Sequence, residues 1–264
     1  MKKLKFGTRC VRFALAFGMC IVATSAYPLG QREIGEILHR GTVKVSVYDG
    51  QNLVGHGSGF ILTGDGFIGT NYHVIQAAVD RGYRLIIESA DGDRKSEAEA
   101  HNWHFIRDFA VLKMKDAAGW NLAPIALGDS SSLRLLDAIF VAGFPVTGVY
   151  KVQRGEFNSL QSFGGVKALD ISVLIDRGNS GGPVVDENGK LIGVSVAYMK
   201  QARSMNLAIR SNDIRDTIQA ATAGKRKILV RDGRERERNN TMDESNLIVS
   251  GMTVTGALGA GDDA

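Results

Sequence analysis

The chain has 264 residues, with 32 Lys and Arg against 28 Asp and Glu, and only two cysteines. Both cysteines, Cys10 and Cys20, lie in the first 26 positions together with five basic residues and no acidic one. The remaining 238 residues carry 27 basic and 28 acidic groups, so their charge does not suggest nucleic acid as a partner. They also lack a thiol for a disulfide framework, thiolate chemistry or a cysteine metal site.

The first 26 residues have the order of a secretory signal peptide. Basic residues precede an apolar run from Phe13 to Ala23, and small residues follow as far as Ala26, where we expect cleavage. The apolar run is shorter than the roughly 20 residues of a membrane-spanning helix. We therefore expect a periplasmic or secreted protein with no stable membrane insertion after cleavage, beginning near Tyr27.

The region from about 41 to 210 predicts a mainly β protein. Short β-branched or aromatic runs alternate there with turn dipeptides such as Asp49-Gly50 and Asn188-Gly189, which is typical of antiparallel barrels and sandwiches. Helical patterns are few: one at 31–40, a short one after Asn71 and one at about 213–221. A polar connection between Met114 and Leu122 divides the strands into two groups, at about 41–114 and 122–210.

The last part of the chain, 224–264, changes character to alternating charges followed by a Gly- and Ala-rich end. We expect 27–223 to form the folded domain and the tail to be a charged, disordered extension, because its composition offers little to bury. A docking segment for a partner or a membrane surface is the alternative.

The strongest chemical signal is the segment Gly178–Pro183, in which Ser180 is flanked by glycines. A serine on such a turn is exposed to a substrate carbonyl, and the N–H groups of Gly178 and Ser180 are placed to form an oxyanion hole. An ordinary glycine-rich loop is the alternative.

A serine hydroxyl needs an adjacent base to become a nucleophile. Among five histidines, His73 lies at a predicted strand-to-helix corner, which suits a side chain that projects into a cleft. Asp108 directly precedes an apolar strand and is our candidate for the carboxylate that orients the histidine. The other four histidines are expected to be surface or locally hydrogen-bonded residues.

These segments together resemble the chymotrypsin-like serine proteases, and within them the HtrA/Deg branch. The matching motifs are collinear over residues 41–210: Gly57–Phe60, Thr70–Val74, Asp108–Lys113, Leu127–Ser130, Val141–Pro145, Gly178–Pro183 and Leu191–Gly193.

The resemblance implies an all-β fold of two six-stranded antiparallel barrels with the active site between them. It implies a triad of His73, Asp108 and Ser180, with no metal or organic cofactor. The substrates are expected to be proteins or peptides, whose extended backbone pairs as an added strand with Ser195, Val196 and Ala197. At the position of the trypsin-type specificity acid stands Leu174, which predicts a preference for small or medium aliphatic side chains.

The resemblance is incomplete in one respect, because such proteins usually carry a PDZ domain and this chain has no room for one. The oligomeric state stays open between monomer and trimer. The expected activity is that of a secreted serine endopeptidase, with protein quality control as its expected role. The alternatives are an inactive protease-fold binding protein, which typically lacks a triad residue, and an esterase, which would need alternating helices that the sequence does not show.

Overall fold

The computed structural model describes residues 29–163, 166–196, 206–230 and 234–236. The predicted signal peptide lies outside these residues, as does most of the tail. Strands dominate the fold, with three helices among the described residues: α1 (Gln31–Gly41), α2 (Tyr72–Arg81) and α3 (Ser211–Thr222). Within this part of the chain, no helix is both long and apolar enough to cross a bilayer.

The first six strands close into a barrel in the spatial order β1-β2-β3-β6-β5-β4. They are antiparallel throughout, and the barrel closes through pairing of β1 with β4. Their bounds are β1 Thr42–Asp49, β2 Asn52–Ile61, β3 Phe67–Thr70, β4 Arg84–Ser89, β5 Lys95–His104 and β6 Phe109–Met114.

The next six strands close into a second barrel in the order β10-β11-β12-β9-β8-β7, through pairing of β10 with β7. Their bounds are β7 Ala138–Gly143, β8 Lys151–Phe163, β9 Val166–Ile171, β10 Pro183–Asp186, β11 Leu191–Val196 and β12 Leu207–Arg210. The expected pair of six-stranded antiparallel barrels is confirmed. A two-stranded sheet of β13 (Ile228–Val230) and β14 (Arg234–Arg236) follows α3.

The segment 171–175 has the apolar alternation that predicts a strand, but this prediction is wrong beyond its first residue, since β9 ends at Ile171. Val173 and Ile175 are buried while Ser172 and Leu174 are exposed, which imitates the alternation of a strand. The backbone bonds are irregular, however, because Ile175 N–H donates to the side chain of Asn206 rather than to a neighbouring strand. Alternation of apolar and polar residues indicates which side chains are buried. A strand also requires backbone hydrogen bonds to a neighbouring strand.

The two barrels are joined by an apolar cluster that contains residues of both barrels and of α1 and α3. Phe60 and Phe109 of the first barrel stack with ring centroids 6.5 Å apart, and Phe140 and Ile209 of the second belong to the same cluster. Interiors are close-packed and transmit strain, so this shared core fixes one barrel relative to the other. The cleft between them is therefore a defined site.

Part of the segment expected as a disordered tail lies against β5. The Lys227 N–H donates to the carbonyl of His101 at 2.9 Å, and Asn102 Nδ2 donates to the carbonyl of Lys225 at 3.1 Å. Arg226 forms an ion pair with Glu99 at 2.6 Å. These contacts attach the residues that follow α3 to the first barrel.

Candidate active site

His73 and Asp108 meet at the edge of the first barrel. His73 is the second residue of α2, and Asp108 lies in the turn between β5 and β6. The two carboxylate oxygens bond to one residue: Oδ2 lies 2.7 Å from His73 Nδ1, and Oδ1 accepts the His73 backbone N–H at 2.9 Å. An ionised carboxylate only accepts, so this contact requires a proton on Nδ1. In the neutral imidazole, Nε2 is then the basic nitrogen.

Asp108 is held in a left-handed backbone conformation, with φ of 49°. Asp is among the few non-glycine residues that adopt this region without a large cost. Its carbonyl accepts from Asn71 Nδ2 at 2.9 Å and from the Tyr72 N–H at 3.2 Å, and its own N–H donates to Phe105 at 3.1 Å. The start of α2 and the turn of Asp108 are thus bonded to each other by backbone and side chain.

Ser180 lies on a tight turn just before β10, in the second barrel. The turn bends twice through glycines with positive φ, at 92° for Gly178 and 87° for Gly181. A Cβ at Gly178 would overlap the carbonyl of Phe144, and one at Gly181 would overlap the carbonyl of Ser58. Only glycine therefore fits at both positions.

Ser58 of β2 links this turn to the first barrel. Its N–H donates to the Ser180 carbonyl at 2.7 Å, and its hydroxyl donates to the Gly178 carbonyl at 2.7 Å. The same hydroxyl accepts the N–H of Phe144 at 2.9 Å, and the Ser58 carbonyl accepts from Thr70 Oγ1 at 2.7 Å. Every one of these groups is buried, so the turn is tied to both barrels through a single fully buried serine.

His56, which we expected to be a surface or locally bonded histidine, also supports the turn. Its Nε2 lies 3.2 Å from the carbonyls of Phe144 and Pro145, and a Cβ at Gly178 would come within 2.9 Å of that nitrogen. Sequence reasoning missed both His56 and Ser58 as site residues. The motif containing Ser58 was recognised, but its bonds to Gly178 span 120 positions and leave no local signal.

His73, Gly178 and Ser180 line the same cavity, whose volume is about 410 Å³. The structure thus brings together the histidine of the first barrel and the serine turn of the second. Val54, His56 and Arg177 line this cavity as well. Among the described residues, no group of three or more His, Cys, Asp or Glu is placed to hold a metal ion.

Of the four residues predicted to bind substrate, the three that the structure describes do not line this cavity. Ser195 is fully buried, and its hydroxyl donates to the Asn179 carbonyl at 2.7 Å, so its side chain supports the serine turn. Val196 is buried in the core, and Ala197 lies outside the described residues. Leu174 is 63% exposed and does not line the cavity. Their role in binding stays a prediction.

Two other histidines lie on β5, away from this cavity. Burial lowers the pKa of His101 and of His104 below the ordinary value, and nearby cations lower each pKa further: Arg226 for His101, Arg107 for His104. His104 Nδ1 accepts the N–H of Arg107, whose guanidinium donates to the carbonyl of Asp213 in α3. This end of β5 therefore contacts both α3 and the turn that contains Asp108.

Comparison with known proteins agrees with this geometry. Residues 57–194 match the trypsin-like peptidase domain, which covers more than half of the chain. The chain belongs to the trypsin-like peptidase family. Its relatives in that family include Protease Do-like 1, chloroplastic, of Arabidopsis thaliana, 35% identical over 54% of this chain and 33% of the relative.

Two further comparisons show the range of this family. The crystal structure of Deg5 has a TM-score of 0.63 at 26% identity, covering 74% of this chain and 98% of that one. The Anti-sigma-I factor RsgI9 of Acetivibrio thermocellus is 31% identical over 72% of this chain but only 26% of the relative. The Do-like and Deg5 matches place this trypsin-like chain with the HtrA/Deg proteins, and it spans well under half of either curated relative.

Proposed function

We propose that this chain is a serine endopeptidase in which Ser180 is the nucleophile, His73 the general base and Asp108 the carboxylate that orients His73. The observation that carries the proposal is the double contact of Asp108 with His73. It fixes the imidazole tautomer with Nε2 unprotonated, and His73 and Ser180 line the same cavity.

In this mechanism His73 Nε2 takes the hydroxyl proton of Ser180 as the oxygen attacks the peptide carbonyl. Asp108 stabilises the imidazolium that results, and His73 then protonates the departing amine. A water molecule then attacks the acyl-enzyme carbonyl while His73 takes its proton. His73 returns a proton to Ser180 Oγ as the acid product leaves. Apart from the substrate and this water, the reaction uses only groups of the chain itself.

The negative oxygen of the tetrahedral intermediate would be stabilised by the N–H groups of Gly178 and Ser180. Two bonds support the assignment of the Ser180 N–H, because its peptide group includes the Asn179 carbonyl. That carbonyl accepts from Ser195 Oγ at 2.7 Å and from the Gly182 N–H at 2.9 Å, which limits rotation of the peptide group. One such donor contributes about 3 kcal/mol to transition-state stabilisation in proteases.

On the acyl side, we propose that the substrate backbone lies along the end of β11. The Ser195 N–H is already bonded to the Gly182 carbonyl, and the Ser195 carbonyl accepts one bond, from Gly181. A carbonyl oxygen has two lone pairs, so it retains the capacity to accept a substrate N–H. Secretion, cleavage of unfolded proteins and a role in protein quality control belong to the same proposal.

Hydrolysis of an unfolded protein by the purified chain tests the proposal. We expect fragments to accumulate, and kcat to fall by about a million-fold in Ser180→Ala. Ser162→Ala, at an exposed serine of β8, is the matched control and should leave the rate unchanged. A folded protein that binds the substrate without cleaving it would favour the binding-protein alternative, and cleavage of simple esters alone would favour an esterase.

A further inference from the structure

The cavity beside Ser180 lies on the side of the serine away from β11. Its walls come from β1, β2, α2 and the residue before Gly178, and include Val47, Val54, Val74 and Ala77. No residue of β11 or of 171–175 lines it. If the acyl half of a substrate follows β11, the chain beyond the scissile bond enters this cavity, past His73.

A β-bulge places Val54 at the cavity. Val47 pairs with Gly55 and Tyr48 pairs with Leu53, so Val54 is an extra residue with no partner on β1. Bulges redirect side chains and are common beside active sites. Val54 is 53% exposed although it is apolar, and it lines the cavity, whereas the neighbouring Leu53 is equally exposed and does not.

The cavity combines apolar walls with one exposed cationic side chain. Val47, Val54, Val74 and Ala77 make the walls apolar, and a volume of about 410 Å³ is in the range of small-ligand pockets. Arg177 also lines the cavity and is exposed, and the described part of the chain contains no ion pair to its guanidinium. A cation beside an apolar pocket attracts acidic groups and repels basic ones.

We propose that this cavity is a specificity site for the leaving-group half of the substrate, taking an aliphatic side chain from the first two residues after the scissile bond. Arg177 favours an acidic side chain next to it over a basic one. The inference rests on the proposed function. It specifies the sequences that are cleaved. An aliphatic residue follows the scissile bond, and an acidic rather than a basic residue lies beside it.

Peptides with one fixed acyl half and varied leaving residues test the inference through kcat/KM. We expect kcat/KM for a peptide with Leu on the leaving side to exceed that for its near-isostere Asn by about 10-fold or more. Hydrophobic pockets discriminate to this extent between side chains that differ little in size. In Val54→Asp the Leu/Asn ratio should fall toward one. In Leu53→Asp, the matched control with equal exposure, it should persist.

Two further variants keep the test decisive if Val54→Asp does not fold. Val54→Trp fills the cavity and should shift the preference from Leu to Ala. Arg177→Glu should invert the preference for Glu over Lys at the leaving side, while Arg134→Glu, at another exposed arginine, should not. Leaving-side ratios near one in the unaltered protein, or ratios that these variants do not move, would overturn the inference.

A chromogenic acyl substrate with no leaving-side residue tests the endopeptidase proposal separately from the specificity site. Turnover of that substrate that is lost in Ser180→Ala, together with flat leaving-side ratios, would sink the specificity site and leave the endopeptidase proposal intact. Absence of turnover with every substrate would remove both.

Discussion

Asp108 combines an unusual backbone with two bonds to a single histidine. The left-handed φ of 49° lets its carboxylate reach both the N–H and Nδ1 of His73, while Asn71 and Tyr72 bond its carbonyl. Orientation of the histidine therefore depends on the carboxylate as an acceptor at two points.

Asp108→Asn should keep the shape of the site and lose this function. An amide presents an NH₂ group as well as an oxygen, so the imidazole is no longer required to carry its proton on Nδ1. We expect kcat to fall by about 10⁴-fold, the effect seen when the triad carboxylate of a serine protease becomes an amide. Peptidase kinetics with a parallel thermal melt would check this, and a rate within ten-fold of the unaltered protein would contradict the role of Asp108.

At this scale the sequence was informative where chemistry is encoded locally. Ser180 between glycines, His73 after a strand and Asp108 before a strand each have a neighbourhood that predicts their position. Ser58 and His56 act through residues about 90 to 120 positions away, so only the folded chain pairs them with their partners.

Strand β5 is the element that connects the turn of Asp108, α3 and the start of the tail. Its end bonds to Lys227 through the His101 carbonyl, and His101 packs edge-to-face on Phe67 at 5.1 Å. Burial among nearby cations lowers the pKa of both His101 and His104, so the folded state disfavours their charged forms.

This arrangement predicts a loss of stability in acid. A histidine whose folded pKa is lowered binds fewer protons when folded than when unfolded, so stability is retained above the unfolded pKa of about 6.5 and lost as pH falls through the folded pKa. The urea midpoint should therefore decline between pH 7 and pH 5. The decline should be smaller in the double variant His101→Gln, His104→Gln. An equal decline in both proteins would show that these histidines do not cause it.

Element boundaries were predicted well where a pattern changes sharply, as at the start of α1 at Gln31 and the end of β6 at Met114. They were predicted poorly where tertiary contacts decide. β2 begins at Asn52, directly after the Asp49-Gly50 turn, because it pairs with β1 from there onward. Its first residues are exposed and lack the apolar alternation of a half-buried strand. The bulge at Val54 has no signature in the sequence for the same reason.

The described part of the molecule is two barrels whose facing surfaces share a core, and Ser58 is a polar link across that interface, beside His56. Two groups of strands were predictable from the position of turns and from the family resemblance. Which residues of the first barrel hold the serine turn of the second was not, because it depends on how the barrels pack.

Ser58→Ala should weaken this link while preserving the backbone bond to Ser180. Loss of the hydroxyl leaves the Gly178 carbonyl and the Phe144 N–H buried and unpaired. We expect the free energy of unfolding to fall by about 2–6 kcal/mol, since each of these two groups costs about 1–3 kcal/mol. Urea unfolding measures this, with Ser46→Ala, at a buried serine of β1, as the control. Equal midpoints for the two variants would contradict the linking role of Ser58.

The central claim is that Ser180 is an activated nucleophile, and covalent labelling tests it most directly. The purified chain would be treated with a fluorophosphonate at neutral pH, and the modified residue located by peptide mass spectrometry. We expect an adduct on Ser180, abolished by Ser180→Ala and strongly slowed by Asp108→Asn. A folded protein that acquires no adduct at Ser180 would contradict it.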